Sequence, residues 1–246
     1  MESLHVVTYN IHKGFSQFKR RMSVHNLRER LRMIGADLVF LQEVQGLHEK
    51  HASRHPDWPG VPQHEFLADT LWSEFAYGRN SVYDDGHHGN AVLSKFPIVA
   101  ADNLDMSMHR TESRGMLHCE IEIPGWAQRL HCINVHLGLL GRWRKRQIAM
   151  LKHRIENEVP SSAPLIVAGD FNDWRLRASP ALDVAEVFES TIGRPARSYP
   201  ALWPFLRLDR IYVRGFTVRI AHAHSGPTWS RISDHVALSA LLTRQA

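Results

Sequence analysis

Cysteine is scarce in this chain of 246 residues, which contains only Cys119 and Cys132. Two cysteines cannot build a disulfide scaffold, and neither stands in a spacing that binds zinc. They fall on two strand-like runs, 116–123 and 129–137, separated by a Pro-Gly sequence. A hairpin would place the two side chains opposite each other. A disulfide between them is one interpretation, and we expect reduced thiols in a core.

Long hydrophobic runs are also missing. No stretch of about 18 apolar residues occurs, and the chain passes from Met1 into the apolar run 4–7 without a basic segment. The sequence therefore predicts no transmembrane segment, and it predicts a cytoplasmic location for the chain as written.

Acidic residues are outnumbered, because 25 Asp and Glu stand against 30 Lys and Arg, giving a net charge of +5. The 17 His add further positive charge as the pH falls. A positive surface favours a polyanionic partner, so we expect either nucleic acid or an anionic lipid surface.

Apolar residues, in contrast, are plentiful at 43% of the chain and include seven Trp, so a sizeable core can form. Helical periodicity predicts helices over 24–34 and 142–159. Strand-like runs alternate with them at 4–9, 37–41, 90–94, 165–168, 208–213 and 233–238. We predict a single domain over 1–246 of the α+β class, layered as in α/β proteins, and a monomer.

The stretch 46–89 is rich in loops and contains three prolines, with a short helix predicted over 66–75. We interpret it as an excursion over one end of a sheet, because Trp58 and Trp72 need cover. A second short helix is predicted over 180–188.

The stretch 165–173, with the sequence LIVAGDFND, is central to the argument. Four apolar residues predict a buried strand, and Gly169 allows the backbone to turn, so that Asp170 and Asn172 are delivered to the strand end. A plain turn is the alternative, since Gly, Asp and Asn are all turn formers.

Polar side chains follow several of the predicted strands. Carboxylate and amide oxygens suit Mg²⁺ or Mn²⁺, whereas zinc would recruit more His or Cys. A catalyst of phosphodiester cleavage needs a cation, a base for water and donors for the developing charge. The residues that could supply these are Asn10, Glu43, Asn90, His136, Asp170, Asn172, Asp209, Asp234 and His235.

Seven short motifs occur in one order along nearly the whole chain. They are YN at 9–10, LQE at 41–43, GNAVLS at 89–94, NVH at 134–136, GDFN at 169–172, LDRI at 208–211 and SDH at 233–235. In this order they resemble the endonuclease/exonuclease/phosphatase superfamily, which includes pancreatic DNase, AP endonucleases, neutral sphingomyelinases and inositol polyphosphate phosphatases. Bacterial members of the YbhP type are especially similar. The resemblance implies a four-layer α-β-β-α sandwich of two facing mixed sheets with helices outside, and a site at one edge that depends on Mg²⁺ or Mn²⁺.

The resemblance also implies roles for individual residues. Glu43 would bind the metal ion, with Asn10 and Asp234 close by. Asp170 would take the proton from the attacking water and Asn172 would hold a phosphate oxygen. His235, oriented by Asp209, would donate to a non-bridging oxygen, and His136 would also face the phosphate. The alternatives are a surface acid for Glu43, and a structural histidine for His235 with Asp209 paired to Arg210. His12 stands where AP endonucleases have Asp, which puts a second metal site in doubt.

Substrate contacts are predicted for Asn90, Arg114, Asn134, Arg144 and Lys145, with turn-forming or solvated roles as the alternatives. The basic run 142–146 contains Trp143 and favours a nuclease, because an aromatic ring among cations can stack on a base. The apolar run 202–206 instead suits a phospholipid or small-molecule phosphodiesterase or phosphatase. A non-catalytic phosphate-binding module is the third alternative.

Overall fold

The computed structural model describes residues 2–17, 21–109, 112–175 and 177–245. Within these ranges the chain forms twelve strands: β1 (Ser3–Asn10), β2 (Leu38–His48), β3 (Glu74–Tyr83), β4 (Gly86–Ser94), β5 (Ile98–Asp105), β6 (Gly115–Ile121), β7 (Leu130–His136), β8 (Leu165–Asp170), β9 (Ala185–Glu186), β10 (Asp209–Arg214), β11 (Phe216–His224) and β12 (Ala237–Arg244). The α-helices are α1 (Val24–Ile34), α2 (Glu49–Arg54), α3 (Gln63–Ala68), α4 (Gly141–Glu158) and α5 (Ser179–Leu182).

The strands form two mixed sheets of six strands each. The first sheet has the order β11-β12-β1-β2-β4-β3 and the second has the order β5-β6-β7-β8-β10-β9. In each sheet one central pair is parallel, β1 with β2 and β7 with β8. The two parallel pairs therefore each bring two carboxyl ends to one edge of a sheet.

The two sheets face each other across one apolar layer. Val6 and Phe40 from the first sheet and Cys132 and Ile166 from the second belong to the same buried cluster. Each of these strands also places its alternate residues on the outer face, since side chains alternate along a strand.

Helices cover both outer faces. Val24, Leu27 and Leu31 of α1 pack on the outer face of the first sheet, and Gly35 in the left-handed conformation ends this helix. Ile148 and Leu151 of α4 pack on the outer face of the second sheet. The layers are therefore helix, sheet, sheet and helix, as the resemblance implied, and the α+β class is confirmed.

The stretch 46–89 differs from the predicted excursion. It contains the end of β2, the helices α2 and α3, the strand β3 and the start of β4. The predicted helix over 66–75 is wrong beyond Ala68, where α3 ends, and Phe75 lies in β3. The predicted helix over 180–188 is only the short α5, followed by β9. The strand predicted over 233–238 begins at Ala237, later than expected.

Cys119 and Cys132 are opposite partners in the β6–β7 pair, as the hairpin prediction required. Both are buried and free, and burial raises the pKa of the Cys119 thiol to about 12. In the described part of the chain, no helix is long and apolar enough to cross a membrane.

Candidate active site

The polar strand ends meet at one edge of the sandwich. His136 at the end of β7 is opposite Asp170 at the end of β8, and Asp209 at the start of β10 is opposite Asp170 on its other side. In the first sheet, Asn10 at the end of β1 is opposite Gln42 of β2. The registers thus place three of these polar residues at the ends of adjacent strands of the second sheet, and Asn10 at the end of a strand of the first sheet.

Gly169 acts differently from its predicted role. It does not turn the chain but lies inside β8, opposite Val135 of β7, with a φ of 145°. A Cβ at this position would lie 1.9 Å from the Val135 carbonyl oxygen. Glycine is therefore required by the close approach of β7 and β8, which holds His136 beside Asp170.

Asp170 connects the two sheets. The Asn10 side-chain amide donates a hydrogen bond to Asp170 Oδ2 over 3.1 Å. Asp170 is almost fully buried, and burial raises its pKa above the ordinary value, against the opposing effect of the His235 charge. The carboxyl group is therefore a stronger base than a solvated aspartate.

Asp209 and His235 form a buried pair. His235 Nδ1 lies 2.8 Å from Asp209 Oδ2, and His235 Nε2 lies 3.8 Å from Asp170 Oδ2. Burial alone lowers the pKa of His235, but the carboxylates of Asp209 and Asp170 outweigh it and raise the pKa to about 10. The imidazole is therefore a cation at neutral pH, with Nε2 as the donor that faces Asp170. The alternative pairing is not observed, because Arg210 binds Glu186 and the backbone.

His136 has the opposite electrostatic character. Its Nε2 lies 3.5 Å from Asp170 Oδ2, but burial lowers its pKa well below the ordinary value, and the nearby positive charges of Arg114 and His235 add to this. One neutral and one charged imidazole therefore flank the same carboxylate.

Asn172 follows Asp170 in a left-handed conformation with a φ of 49°, which Asn tolerates better than most residues. Its backbone N–H donates to Asp170 Oδ1 over 2.9 Å, and its Nδ2 donates to the Leu137 carbonyl over 2.9 Å. These bonds fix the carboxylate of Asp170 and tie the turn after β8 to the loop after β7.

Glu43 is presented by an irregularity in β2. The register with β4 shifts between Leu41 and Val44, and Glu43 has a φ of 55°, in the left-handed region. It is half-buried and directly follows Gln42, the partner of Asn10. A bulge of this kind redirects a side chain at the end of a paired region.

Asp234 lies near the end of β1. Asp234 Oδ1 is 3.8 Å from His12 Nδ1, and the backbone N–H of His12 donates to Asn10 Oδ1 over 3.1 Å. Ser233 donates to the carbonyl of Asn10 over 2.7 Å, which anchors the residue before Asp234 to the end of β1.

Two predicted substrate-binding asparagines are fully buried and bonded within the protein. Asn134 Nδ2 donates to the carbonyls of Leu41 and Ala91 over 2.9 and 2.8 Å, and its Oδ1 accepts from Gln42. Asn90 Nδ2 donates to the Gly115 carbonyl over 3.0 Å. Both side chains connect one sheet to the other, and these hydrogen bonds all lie within the protein.

The predicted cationic contacts divide into two groups. Arg114 lies close enough for its charge to act on His136, and its Nε donates to the Leu137 carbonyl over 3.0 Å. Arg144 is buried, donates to the carbonyls of Gly138 and Leu139, and lies over the ring of Trp174. Lys145 is exposed and lines a cavity of about 450 Å³ between α4 and α5, whose described lining residues include none of the catalytic candidates.

The sequence did not indicate several neighbours of this cluster. The Tyr199 ring lies 5.0 Å from the His235 ring between centroids, and the Ser198 hydroxyl accepts from the backbone N–H of Asp209. The charges of Lys13 and His88 also reach His136. Ser198 and Tyr199 are remote in sequence from His235, and no motif marked them.

The donor set can hold a hard divalent cation. Asp170, Asp209 and His235 form a buried cluster whose ligand-type atoms all lie within 4.8 Å of one another. His235 Nδ1 is already bonded to Asp209, and the predicted metal ligands Glu43 and Asp234 are not members of this cluster. The arrangement thus places a buried carboxylate with a raised pKa beside one charged and one neutral imidazole.

Comparison with known proteins identifies the class. Residues 7–235 match the sequence model of the Endonuclease/Exonuclease/phosphatase family, and the chain belongs to this family. Enzymes of this family are hydrolases that act on phosphoesters and generally use divalent metals.

Particular proteins agree with this assignment. The chain is 49% identical over 242 residues to the uncharacterized protein YbhP of Escherichia coli K12, covering 97% of this chain and 95% of that protein. An endonuclease/exonuclease/phosphatase of Beutenbergia cavernae has the same fold, with a TM-score of 0.76, 18% identity and coverage of 100% and 72% of the two chains. The human Nocturnin catalytic domain with bound sulfate has a TM-score of 0.74, 18% identity and coverage of 99% and 94%.

Proposed function

We propose that this protein hydrolyses a phosphodiester by attack of a water molecule, with Asp170 as the base. The main support is the arrangement of two imidazoles, neutral His136 and charged His235, around the buried carboxylate of Asp170 at the end of β8. Asp170 would take a proton from water as the oxygen–phosphorus bond forms. The ester bond to the leaving oxygen then breaks, and that oxygen takes a proton from solvent.

His235 is proposed to bind the charge that develops on a non-bridging oxygen. Its raised pKa keeps Nε2 protonated at neutral pH, and Asp209 fixes the orientation of the ring. Neutral His136 and cationic Arg114 would contact the same phosphate, while Asn172 holds Asp170 in place and is proposed to bind a phosphate oxygen.

Mg²⁺ or Mn²⁺ is the proposed cofactor, held by Glu43, Asn10 and Asp234. When bound, a divalent cation would polarise the phosphate and offset its negative charge. Since His12 lies 3.8 Å from Asp234 where the AP endonucleases have Asp, we propose one such ion and not two.

Two substrate classes have separate support. Nucleic acid is the class that the sequence favours, and the exposed Arg142 and Lys145 at the start of α4 suit a phosphate backbone. A phosphodiester carried by a lipid is the second class, and the exposed apolar side chains of Trp203 and Phe205 support it.

The test is hydrolysis of bis-p-nitrophenyl phosphate by the purified protein with Mg²⁺, with Mn²⁺ and after exhaustive chelation. We expect activity with either ion, none after chelation, and recovery when the ion returns. Activity that survives chelation would exclude the proposed cofactor.

The nuclease alternative has a test of its own. The substitution Lys145→Glu should weaken binding of DNA or RNA and lower the salt dependence of that binding, whereas unchanged binding would count against that substrate.

A further inference from the structure

Three neighbouring loops surround the candidate active site. They are residues 137–140 after β7, 171–178 after β8 and 197–208 before β10. Because β7, β8 and β10 are adjacent in the second sheet and β10 runs antiparallel to β8, all three loops leave the same edge. Their described residues therefore flank the strand ends that carry His136, Asp170 and Asp209.

This face exposes large apolar side chains. Trp203 is 78% exposed, and Leu202 and Phe205 are each 63% exposed. Large aromatic residues are usually well buried, and a group of them on the surface indicates an interaction site. We name the whole group the apolar rim, which consists of Leu139, Leu140, Trp174, Leu202, Trp203 and Phe205.

The loop that carries the most exposed members is held firmly to the site. The backbone N–H groups of Phe205 and Leu206 both donate to the Tyr199 carbonyl, over 3.0 and 2.9 Å. The N–H of Ala201 donates to the Asp234 carbonyl over 2.7 Å. Trp203 and Phe205 are thus held outward by a fixed turn next to the catalytic residues, which lowers the entropy cost of binding through them.

The exposed charged residues on the same three loops and at the start of α4 are all cationic among the residues that the structure describes. Among the residues of these segments that the structure describes, the one acid is Asp173, which is fully buried beside Arg144. The cations around the apolar rim are exposed or half-buried: Arg142, Lys145, Arg175, Arg177, Arg197 and Arg207. Exposed apolar side chains and exposed cations on the same segments complement an anionic bilayer, whose phosphates lie above its acyl chains.

We propose that the apolar rim docks on the surface of an anionic lipid bilayer and that the site acts on a phosphodiester of a lipid headgroup. This inference rests on the proposed function and selects the lipid among its two substrate classes. Trp203 and Phe205 enter the interfacial layer, and the cations contact lipid phosphates.

The chemistry of the rim favours a bilayer over nucleic acid. Base stacking needs flat rings, whereas Leu139, Leu140 and Leu202 have only aliphatic side chains. These leucines gain by entering an acyl layer and gain little beside a sugar-phosphate backbone. Trp and Phe next to Leu are the residues expected on the apolar side of an interfacial segment.

The experiment is flotation of the full chain with vesicles of phosphatidylcholine containing about 30 mol% phosphatidylglycerol, compared with phosphatidylcholine alone. We expect binding to the anionic vesicles and much weaker binding to the neutral ones. The double substitution Trp203→Ser and Phe205→Ser should reduce the partition coefficient about 10- to 100-fold. Met33→Ser is the matched control, because Met33 is 74% exposed on α1, away from these loops, and it should bind as wild type does.

Hydrolysis of bis-p-nitrophenyl phosphate is measured on the same samples. The double variant should retain it, since neither side chain belongs to the catalytic group, while its activity on vesicle lipid falls with its binding. Equal vesicle binding by the wild type and the double variant would overturn the docking proposal. An absence of vesicle binding by the wild type would also overturn it, including the case in which the double variant loses single-stranded DNA binding or dimerisation instead.

The two proposals fail in different ways. Hydrolysis of the soluble substrate without vesicle binding by the wild type would exclude docking and leave the proposed function supported. Vesicle binding that depends on Trp203 and Phe205, without hydrolysis of any phosphodiester, would support the docking surface and refute the hydrolase.

Discussion

The Asp209–His235 pair determines how much positive charge the site presents to a substrate. Asp209→Asn removes one carboxylate and leaves the His235 ring with a weaker acceptor, so the raised pKa of His235 falls. We predict a loss of activity on the order of 10²–10³ in kcat with little change in fold. The measurement is steady-state kinetics on a soluble phosphodiester together with circular dichroism.

Asp84→Asn is the control for this substitution, because Asp84 is exposed on the turn between β3 and β4. It should keep wild-type kinetics. An Asp209→Asn variant with normal kcat would show that His235 needs no carboxylate partner.

The sequence predicted a substrate contact for Asn134, whereas its hydrogen bonds lie within the protein. Its amide group bonds to Leu41, Ala91 and Gln42 across the two sheets. We predict that Asn134→Ala lowers the free energy of unfolding by about 2–4 kcal/mol, because buried backbone carbonyls lose their partner. Urea unfolding measures this effect, and unchanged stability with a raised KM would restore the substrate contact.

At this scale the catalytic candidates could be named from sequence, because each is a chemically distinctive residue that follows an apolar run. Asn134 lies in a similar apolar run, whereas Arg144 was predicted from the basic run 142–146. Which hydrogen bonds an amide or guanidinium makes depends on carbonyls brought near it by the fold, such as Leu41 and Gly138. The sequence contains no local signal for these contacts.

The central strands were predictable and the edge strands were not. The strands that the sequence interpretation omitted are β3, β5, β9 and β11, the four edges of the two sheets. An edge strand with partly exposed faces lacks a continuous apolar run, and β5 is largely exposed along its length. Because the central strands carry the catalytic candidates, the site was located even though the sheets were incomplete.

Gly169 provides a test of how two elements are held together. Alanine there would place Cβ 1.9 Å from the Val135 carbonyl at a φ that disfavours side chains. We predict that Gly169→Ala costs at least about 3 kcal/mol of unfolding free energy or prevents soluble expression. Gly60→Ala is the control, since nothing lies within 4 Å of its added methyl group. Wild-type stability in Gly169→Ala would contradict the close approach of β7 and β8.

Over the whole molecule, stability depends on histidines that the fold keeps neutral. His64 on α3, His118 on β6 and His224 on β11 each have a pKa lowered to about 4, and burial is the largest cause for all three. Their unfolded pKa is about 6.5. Between pH 6.5 and 4 the unfolded chain therefore binds protons that the folded chain does not, so the free energy of unfolding falls as the pH falls.

We predict that the urea midpoint decreases steadily from pH 7 to pH 4.5, with a slope of at most about 1.4 kcal/mol per pH unit for each of these histidines. Partial solvent access reduces that value. His118 Nε2 and His131 Nδ1 form a hydrogen bond over 3.0 Å. The substitution His118→Gln keeps a polar partner for His131 while removing one titrating group. The urea midpoint of this variant should therefore fall less steeply with pH than that of the wild type. His153→Gln, at an exposed position on α4, should keep the wild-type slope. A midpoint that stays constant down to pH 5 would contradict the prediction, because it would mean that these histidines are protonated in the folded protein without loss of stability.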